Sequence, residues 1–220
     1  MLENEAKWIA EQLRALDNNS ISPVVEIGSS TEHFRKFLQP HIDREVWSPL
    51  RNRGVETIHV DVKEDHGVDI CGDITCREVQ IAILSRSPKL VICANMLEHV
   101  TDRAAVVRFL SDIVCAGGYL LLTAPQSYPF HPDPIDNGFR PTPGDLSALF
   151  SEYSTLSQAI VRGETYAERI VNRPRMFLSI PIRILFAPNG YAAWRAEVAS
   201  FGWLFRPFSV SAVLLKRNQR

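Results

Sequence analysis

Residues 23–34, PVVEIGSSTEHF, contain the turn on which the interpretation of the fold depends. A short apolar run follows a proline, which predicts a buried strand that ends at Glu26 and Gly28. A helix-like pattern begins directly after this single glycine. Loops that bind a dinucleotide usually carry two or three glycines at such a turn. The stretch is therefore either a cofactor loop with few glycines or an ordinary strand-to-helix turn.

The helix predicted after this turn covers STEHFRKFLQPHI, residues 30–42. Ser30 or Thr31 is placed to cap it, and Pro40 is expected to end it. Its apolar stripe would consist of Phe34, Phe37 and Leu38.

Strands and helices alternate along the chain on both sides of this turn. Further strands are predicted in VETIHVD (55–61), GVDICGDI (67–74), KLVICANML (89–97) and YLLLTAP (119–125). Helices are predicted in CREVQIAILSRS (76–87) and TDRAAVVRFLSDIVCAGG (101–118). This order is typical of βαβ units, which build a mostly parallel α/β sheet covered by helices on both faces. Shorter elements follow: a helix in TPGDLSALFSEY, then strands in LSQAIVRG and FSVSAVLLKR.

The composition of the 220-residue chain narrows the classes of function. Its formal net charge is −1, so no overall basic field favours nucleic acid as a partner. An amphipathic helix is predicted within residues 1–20, with no signal-peptide pattern, and no run of 18 apolar residues occurs in the chain. The four cysteines lack the spacings of zinc ligands. These features predict a cytoplasmic protein.

Polar residues follow the predicted strands, where parallel sheets bind their ligands. Gly28 allows close approach of a ligand to the backbone, Asp61 can accept both hydroxyls of a ribose, and Asp73 can accept an adenine amino group. NAD is the competing cofactor, but Ser30 and His33 stand where its loop needs the second and third glycines. A ligand without phosphates does not need that bare backbone. An NAD-dependent oxidoreductase is therefore the less favoured alternative.

The ordered set VVEIGSS, HVD, GDI, LVICANMLEHV and GGYLLLTAP resembles the successive motifs of class I S-adenosylmethionine-dependent methyltransferases. The resemblance covers residues 23–150, with a family-like ending at 209–217. It implies a Rossmann-like, doubly wound, three-layer αβα fold with an antiparallel last strand. The length of the chain predicts a single domain over residues 1–220. The resemblance also implies S-adenosylmethionine as the cofactor.

The resemblance assigns roles to individual residues of the strand ends. Glu26 and Gly28, in the same loop as Ser29, would contact the methionine part, and Asp61 the ribose. The other residues that would line the cofactor site are Asp73 and Ile74 beside the adenine, and Asn95, Met96 and His99 along the cleft. The chain departs from the family at Ser30, which replaces the usual second glycine. This departure motivates an alternative function, a catalytically degenerate binding or regulatory subunit with the same fold.

The candidate catalytic residues lie in FHPDPIDNGFR, residues 130–140, directly after the fifth strand. His131 has the ordinary pKa of a general base. Asp133 and Asp136 are expected to orient it, to bind sugar hydroxyls or to ligate a divalent cation, although their proline and glycine neighbours also suit plain turn formers. No residue is assigned as a metal ligand.

The acceptor is predicted to be a small molecule or glycan that is methylated at oxygen. Residues 127–150 resemble a segment of bacterial methyltransferases linked to surface-polysaccharide synthesis. An aromatic- and arginine-rich insertion at about 164–207 is interpreted as a lid, a partner or homodimer surface, or a peripheral membrane contact. Three of its arginines, Arg173, Arg175 and Arg183, are candidates to meet a phosphate or an acidic sugar.

Overall fold

The computed structural model describes residues 1–131, 133–172, 190–191, 194–195, 198 and 202–219. Seven strands form one sheet: β1 Val24–Ile27, β2 Thr57–Asp61, β3 Ile70–Cys71, β4 Leu90–Ala94, β5 Tyr119–Ser127, β6 Tyr153–Arg162 and β7 Ser209–Arg217. Their order is β3-β2-β1-β4-β5-β7-β6. The first five strands pair in parallel, whereas β7 runs antiparallel to both β5 and β6. The predicted α/β fold class with an antiparallel last strand is confirmed.

Eight α-helices accompany the sheet in the described part of the chain: α1 Glu3–Arg14, α2 Asn18–Ile21, α3 Pro40–Ile42, α4 Ser48–Asn52, α5 Arg77–Leu84, α6 Arg103–Ile113, α7 Pro143–Ala148 and α8 Tyr166–Asn172. Helices α5, α6 and α7 pack their apolar side chains on one face of the sheet. Helices α1, α3 and α4 cover the other face. The arrangement is the predicted three-layer αβα sandwich, because the central strands β1, β4 and β5 contribute side chains to the cores on both faces of the sheet.

The helix predicted over residues 30–42 is replaced by shorter elements. Two π-helical turns, Phe34–Leu38 and Asp43–Trp47, flank α3, and the Gln39 N–H donates to the Phe34 carbonyl five residues earlier. The predicted apolar stripe is wrong at Phe37 and Leu38, which are 71% and 64% exposed. A π turn is wider than an α turn, so side chains leave the 3.6-residue period on which the prediction depended.

The N-terminal helix is confirmed as α1, followed by the short α2. Ala6, Ile9 and Leu13 are buried against the sheet as their spacing predicts. Glu5 is equally buried, which the pattern did not predict.

The region predicted as an insertion begins with α8, whose Tyr166 packs on Phe208. Arg173, Arg175 and Arg183 lie outside the described residues, so their predicted roles stay predictions. Among the described residues, no helix combines the length and apolar character needed to cross a bilayer.

Candidate functional site

The strand order changes direction between β1 and β4. In open α/β sheets, the carboxyl ends of the strands at such a switch point border the ligand crevice, and the loops after β1 and β4 are called the crevice below. Gly28 begins the loop after β1 with φ +77°, a left-handed conformation that favours glycine. A Cβ at this position would lie 2.9 Å from Met96 Cγ, which reaches across from the end of β4. The structure therefore brings together Gly28 and Met96, two of the residues predicted to line the cofactor cleft.

The backbone N–H groups of this loop are already bonded within the chain. The N–H groups of Gly28 and Ser29 donate to the Val60 carbonyl at 2.9 and 3.1 Å. The N–H of Ser30 donates to Asp61 Oδ2 at 2.6 Å. A pyrophosphate bound at such a turn needs free N–H donors. The loop consequently does not present the donors of a dinucleotide site.

Ser30 adopts φ +53°, so the position keeps a left-handed conformation without a glycine. This conformation costs an L-residue on the order of 1–2 kcal/mol. The buried guanidinium of Arg35 offsets this cost, since it donates to the carbonyls of Ser29 at 3.1 Å, Ser30 at 2.6 Å and Gly67 at 2.7 Å. Sequence reasoning missed Arg35, because a charged residue in a predicted helix indicates solvent exposure.

Asp61 ends β2 at the edge of the crevice, as predicted. Its Oδ2 accepts the Ser30 N–H and its Oδ1 accepts the Lys63 N–H at 3.0 Å. These two bonds orient the carboxylate, and each oxygen keeps capacity for a second donor. The next residue, Val62, is 66% exposed and offers an apolar surface beside the carboxylate.

The residues after β3 occupy different environments. Asp73 is exposed, and its Oδ1 accepts the N–H and the hydroxyl of Thr75, both at 2.8 Å. Ile74 is buried in the core between the sheet and α5. Asp73 thus stabilises a turn through one carboxylate oxygen, and its second oxygen is open. Ile74 is the buried apolar residue that follows it.

Glu26 is buried within the sheet layer. Its Oε2 lies 2.7 Å from Nδ1 of His59, the residue opposite it in the β1–β2 register. The His59 ring in turn makes an edge contact with Trp47. The structure therefore places Glu26 in an internal pair with His59, a partner that sequence reasoning did not identify.

Asn95 links the end of β4 to the N-terminal helix. It adopts φ +50°, and its Nδ2 donates to Glu5 Oε1 at 2.6 Å. The same oxygen accepts the Thr123 hydroxyl at 2.6 Å, while Oε2 accepts the Leu2 N–H. Glu5 therefore holds α1 against β4 and β5. The sequence offered no signal for this role beyond the presence of an acidic residue early in the helix.

A second group of side chains lies further along the loop after β4. Glu98 is fully buried, and neither of its carboxylate oxygens has a hydrogen-bond partner among the described residues. Burial raises the pKa of Glu98 to about 8. His99 Nε2 lies 3.7 Å from Glu98 Oε1, and His99 Nδ1 bonds the Ile135 carbonyl at 2.6 Å.

His131 joins this group from the segment after β5. Its ring makes edge contacts with the rings of His99 and Tyr128, at centroid distances of 5.1 and 4.8 Å. Its Nδ1 lies 3.0 Å from the Pro129 carbonyl and 3.3 Å from Asp136 Oδ2. Burial lowers the pKa of His131, so the neutral imidazole is favoured near neutral pH.

Asp136 is held by several donors. Both Arg140 Nη atoms bond its carboxylate, at 3.0 and 2.6 Å, and the N–H groups of His131 and Gly138 add two bonds. Burial alone would raise the pKa of Asp136, but these donors outweigh it and lower that pKa. Asp136 therefore contacts His131 at both its backbone N–H and its ring Nδ1. Sequence reasoning missed Arg140, its partner four residues later.

Asp133 is not brought into this group. It is exposed, and its carboxylate makes no hydrogen bond or ion pair with the part of the chain that the structure describes. Asn137, which sequence reasoning also missed, bonds the segment to the β4 loop: its N–H donates to the Glu98 carbonyl and its Nδ2 to the carbonyls of Leu97 and Val100.

No protein-family model matches the chain, and no curated protein matches it by sequence. Solved structures do match. A coclaurine N-methyltransferase bound to N-methylheliamine and SAH is 14% identical, with a TM-score of 0.59 over 97% of this chain and 72% of that one. The fold is that of class I methyltransferases.

Two further structures show how widely this fold is used. A SAM-dependent methyltransferase from Archaeoglobus fulgidus is 14% identical, with a TM-score of 0.53 over 96% of this chain and 94% of that one. The [4+2]-cyclase SpnF is 11% identical, with a TM-score of 0.52 over 99% of this chain and 81% of that one. Since this fold also carries a cyclase, function must be argued from the site.

Proposed function

We propose that the protein is an S-adenosylmethionine-dependent methyltransferase that acts at an oxygen of a small molecule or glycan. The observation that carries the proposal is the bonding of the β1 loop. Its three N–H groups are used by Val60 and Asp61, so it suits a nucleoside ligand without phosphates. Asp61 adds an oriented carboxylate at the strand end, which matches the hydroxyls of a ribose.

The residues present fit this cofactor along the crevice. Asp61 would accept hydrogen bonds from the ribose hydroxyls. The exposed Val62 and the buried Ile74 would flank the adenine. The open oxygen of Asp73 can accept a hydrogen bond from the adenine amino group. The remaining residues that would line the methionine part are Gly28, Ser29, Asn95, Met96 and His99, with Glu26 held beneath by His59. The bound cofactor supplies a methyl group that its sulfonium activates for transfer.

The chain's own contribution to transfer would be orientation and removal of a proton. His131 is the candidate general base, because its Nδ1–H is bonded to Pro129 and its Nε2 keeps a lone pair. The proton of the acceptor hydroxyl would pass to that Nε2. Asp136 would set the direction of the ring, and Asp133 is free to bind acceptor hydroxyls at the rim. The glycan acceptor rests on the resemblance of residues 127–150.

Calorimetric titration with S-adenosylmethionine and S-adenosylhomocysteine, with NADH as the control, tests the cofactor. We expect micromolar binding of both sulfur compounds and none of NADH. Binding of NADH alone, or of none of the three, would contradict the proposal.

The second candidate is a protein of this fold that does not transfer a methyl group. It would be a binding subunit, as the replaced glycine at Ser30 suggests, or an enzyme of another reaction class, as SpnF is. Release of S-adenosylhomocysteine should be measured with a panel of hydroxylated acceptors, including activated sugars. Turnover that requires His131 supports the methyltransferase. Saturable binding without turnover on any acceptor would favour the second candidate.

A further inference from the structure

Glu98, His99 and His131 form a cluster that the proposed roles do not fully explain. Each offers one ligand atom, and the three atoms lie within 4.8 Å of one another. Glu98 comes from the loop after β4, and its carboxylate is fully buried with both oxygens unpartnered among the described residues. Burial of a polar group without a hydrogen-bond partner is unfavourable, because the group loses its water without a replacement. In the described part of the chain, the one group near the Glu98 carboxylate that can carry a positive charge is the His99 ring, whose Nε2 lies 3.7 Å from Oε1 without a hydrogen bond.

The hydrogen bonds of the two histidines also favour a ligand site at this cluster. His99 Nδ1–H donates to the Ile135 carbonyl, and His131 Nδ1–H donates to the Pro129 carbonyl with Asp136 close by. Each ring is thus held in the tautomer that leaves the Nε2 lone pair open. Histidines that ligate metals characteristically donate their other ring N–H to a carbonyl or carboxylate in this way.

We propose that Glu98, His99 and His131 bind a divalent first-row transition-metal ion such as Zn²⁺, Mn²⁺ or Co²⁺. Two imidazoles with one carboxylate favour these ions over Mg²⁺ and Ca²⁺, which prefer oxygen ligands. Ligand atoms stand about 2.0–2.2 Å from such an ion, so small side-chain rotations would bring the three together. The set differs from the sequence expectation, which assigned no metal ligand and considered only Asp133 and Asp136 near a cation.

The neighbouring charges do not supply this partner. Arg140, the arginine whose charge acts on Glu98, is bonded to the Asp136 carboxylate through both Nη atoms. Glu5, another buried acid whose charge acts on Glu98, is bonded to Asn95, Thr123 and the Leu2 N–H. In the described part of this region, Glu98 is therefore the buried acid whose oxygens have no hydrogen-bond partner.

The role of the ion rests on the proposed function. Three protein ligands leave coordination positions for an acceptor oxygen, and the loop that carries Glu98 also carries Met96 of the crevice. A divalent ion lowers the pKa of a hydroxyl bound to it, so that the O–H bond breaks and the proton leaves to water. His131 would then act as a ligand, and the ion would replace it as the group that activates the acceptor.

The test uses the full-length protein, stripped with EDTA and titrated with Co²⁺ in the absence of cofactor and acceptor. Visible absorption reports ligand-field bands of the bound Co²⁺, and calorimetry gives the stoichiometry with Zn²⁺ and Mn²⁺. We expect one ion per chain. We expect His99→Ala, His131→Ala and Glu98→Gln each to weaken binding at least about tenfold, the range seen even for outer-shell changes.

His66→Ala is the matched control, because His66 also pairs with a carboxylate, Glu32, but is exposed on a loop. It should bind the ion like the parent. Glu98→Gln keeps the size of the buried side chain, so weaker binding in this variant reports the loss of a ligand atom. Circular dichroism checks that the variant is folded. No stoichiometric ion in the parent, or equal affinity in all four variants, would overturn the site.

Absence of metal binding in this titration would contradict the metal site but not the proposed function, because the titration contains no cofactor. A second measurement addresses the role: methyl transfer with and without EDTA. Loss on chelation and recovery with added Zn²⁺, Mn²⁺ or Co²⁺ supports the ion as the activating group. Transfer that is insensitive to chelation overturns that role and leaves His131 as the base.

Discussion

The two sides of the crevice differ in how their polar groups are satisfied. On the loop side, defined by residues 28–35 and Asp61, the N–H groups of the turn are bonded to Val60 and Asp61, and Arg35 bonds three carbonyls. On the histidine side, defined by residues 95–99 and 131–140, the Glu98 carboxylate and two Nε2 atoms keep open bonding capacity.

This difference separates two tasks. A loop whose donors are used internally is preorganised, and it selects its ligand by shape and by the few acceptors it keeps open. A buried carboxylate with open oxygens is costly until a proton or a cation joins it, so it marks a candidate place for a further group to bind. On the loop side the internal bonds can be removed one at a time by substitution.

The largest effect is expected for Arg35→Met. The change removes a buried guanidinium and leaves the carbonyls of Ser29, Ser30 and Gly67 without their donor, which should lower the free energy of unfolding by about 3 kcal/mol. Urea unfolding followed by circular dichroism measures it. Arg44→Met, at an exposed surface pair, is the control and should stay within about 0.5 kcal/mol of the parent. Equal stability of the two variants would contradict an internal role for Arg35.

Asp61→Ala should weaken the binding of S-adenosylmethionine by about 10- to 100-fold. It removes a charged acceptor for the ribose and the bond to the Ser30 N–H, and bonds to charged groups contribute about 1.5–3 kcal/mol. Calorimetry of the variant gives the affinity. Asp65→Ala, an exposed aspartate on the loop after β2, should bind like the parent. An Asp61→Ala protein with parental affinity would show that the ribose is held elsewhere.

Gly28→Ala is expected to cost about 1–2 kcal/mol of stability, because a Cβ is strained at φ +77° and contacts Met96. The double variant Gly28→Ala with Met96→Ala separates the two causes. It should relieve the contact but keep the backbone strain. Thermal unfolding of the set measures both, and complete recovery in the double variant would mean that the strain at this turn is negligible.

The smallest effect on stability is expected for a change at Tyr153, which belongs to neither side of the crevice. This residue tests the dependence of stability on alkaline pH. Burial raises the pKa of Tyr153 to about 12, and its hydroxyl donates to the Ser111 carbonyl at 3.0 Å. A raised pKa stabilises the neutral form in the fold, so this contribution is complete below the ordinary value near 10 and is lost as pH rises toward 12.

Tyr153→Phe should lower stability by about 1 kcal/mol at pH 8 and remove part of the alkaline loss. Melting temperatures between pH 8 and 11.5 compare the variant with the parent. An identical pH dependence in both proteins would assign the alkaline loss to other groups.

Much of the fold followed from the sequence. The alternation of apolar runs with helical patterns predicted the parallel strands, and the strand ends predicted the place of Gly28 and Asp61 at the crevice. The helix after the turn was predicted wrongly, because the π-helical turns expose Phe37 and Leu38 and bury Arg35. Local periodicity cannot anticipate a change in the number of residues per turn.

The sequence by itself determined the succession of strands and helices along the chain, since each element depends on a short-range pattern. Only the tertiary structure decided which polar groups meet. Glu5 bonds Asn95, Arg35 bonds Gly67, and Glu98 faces His131, each across a long stretch of chain. The physical reason is that burial of a charged group depends on partners brought together by the sheet, and no local pattern encodes them.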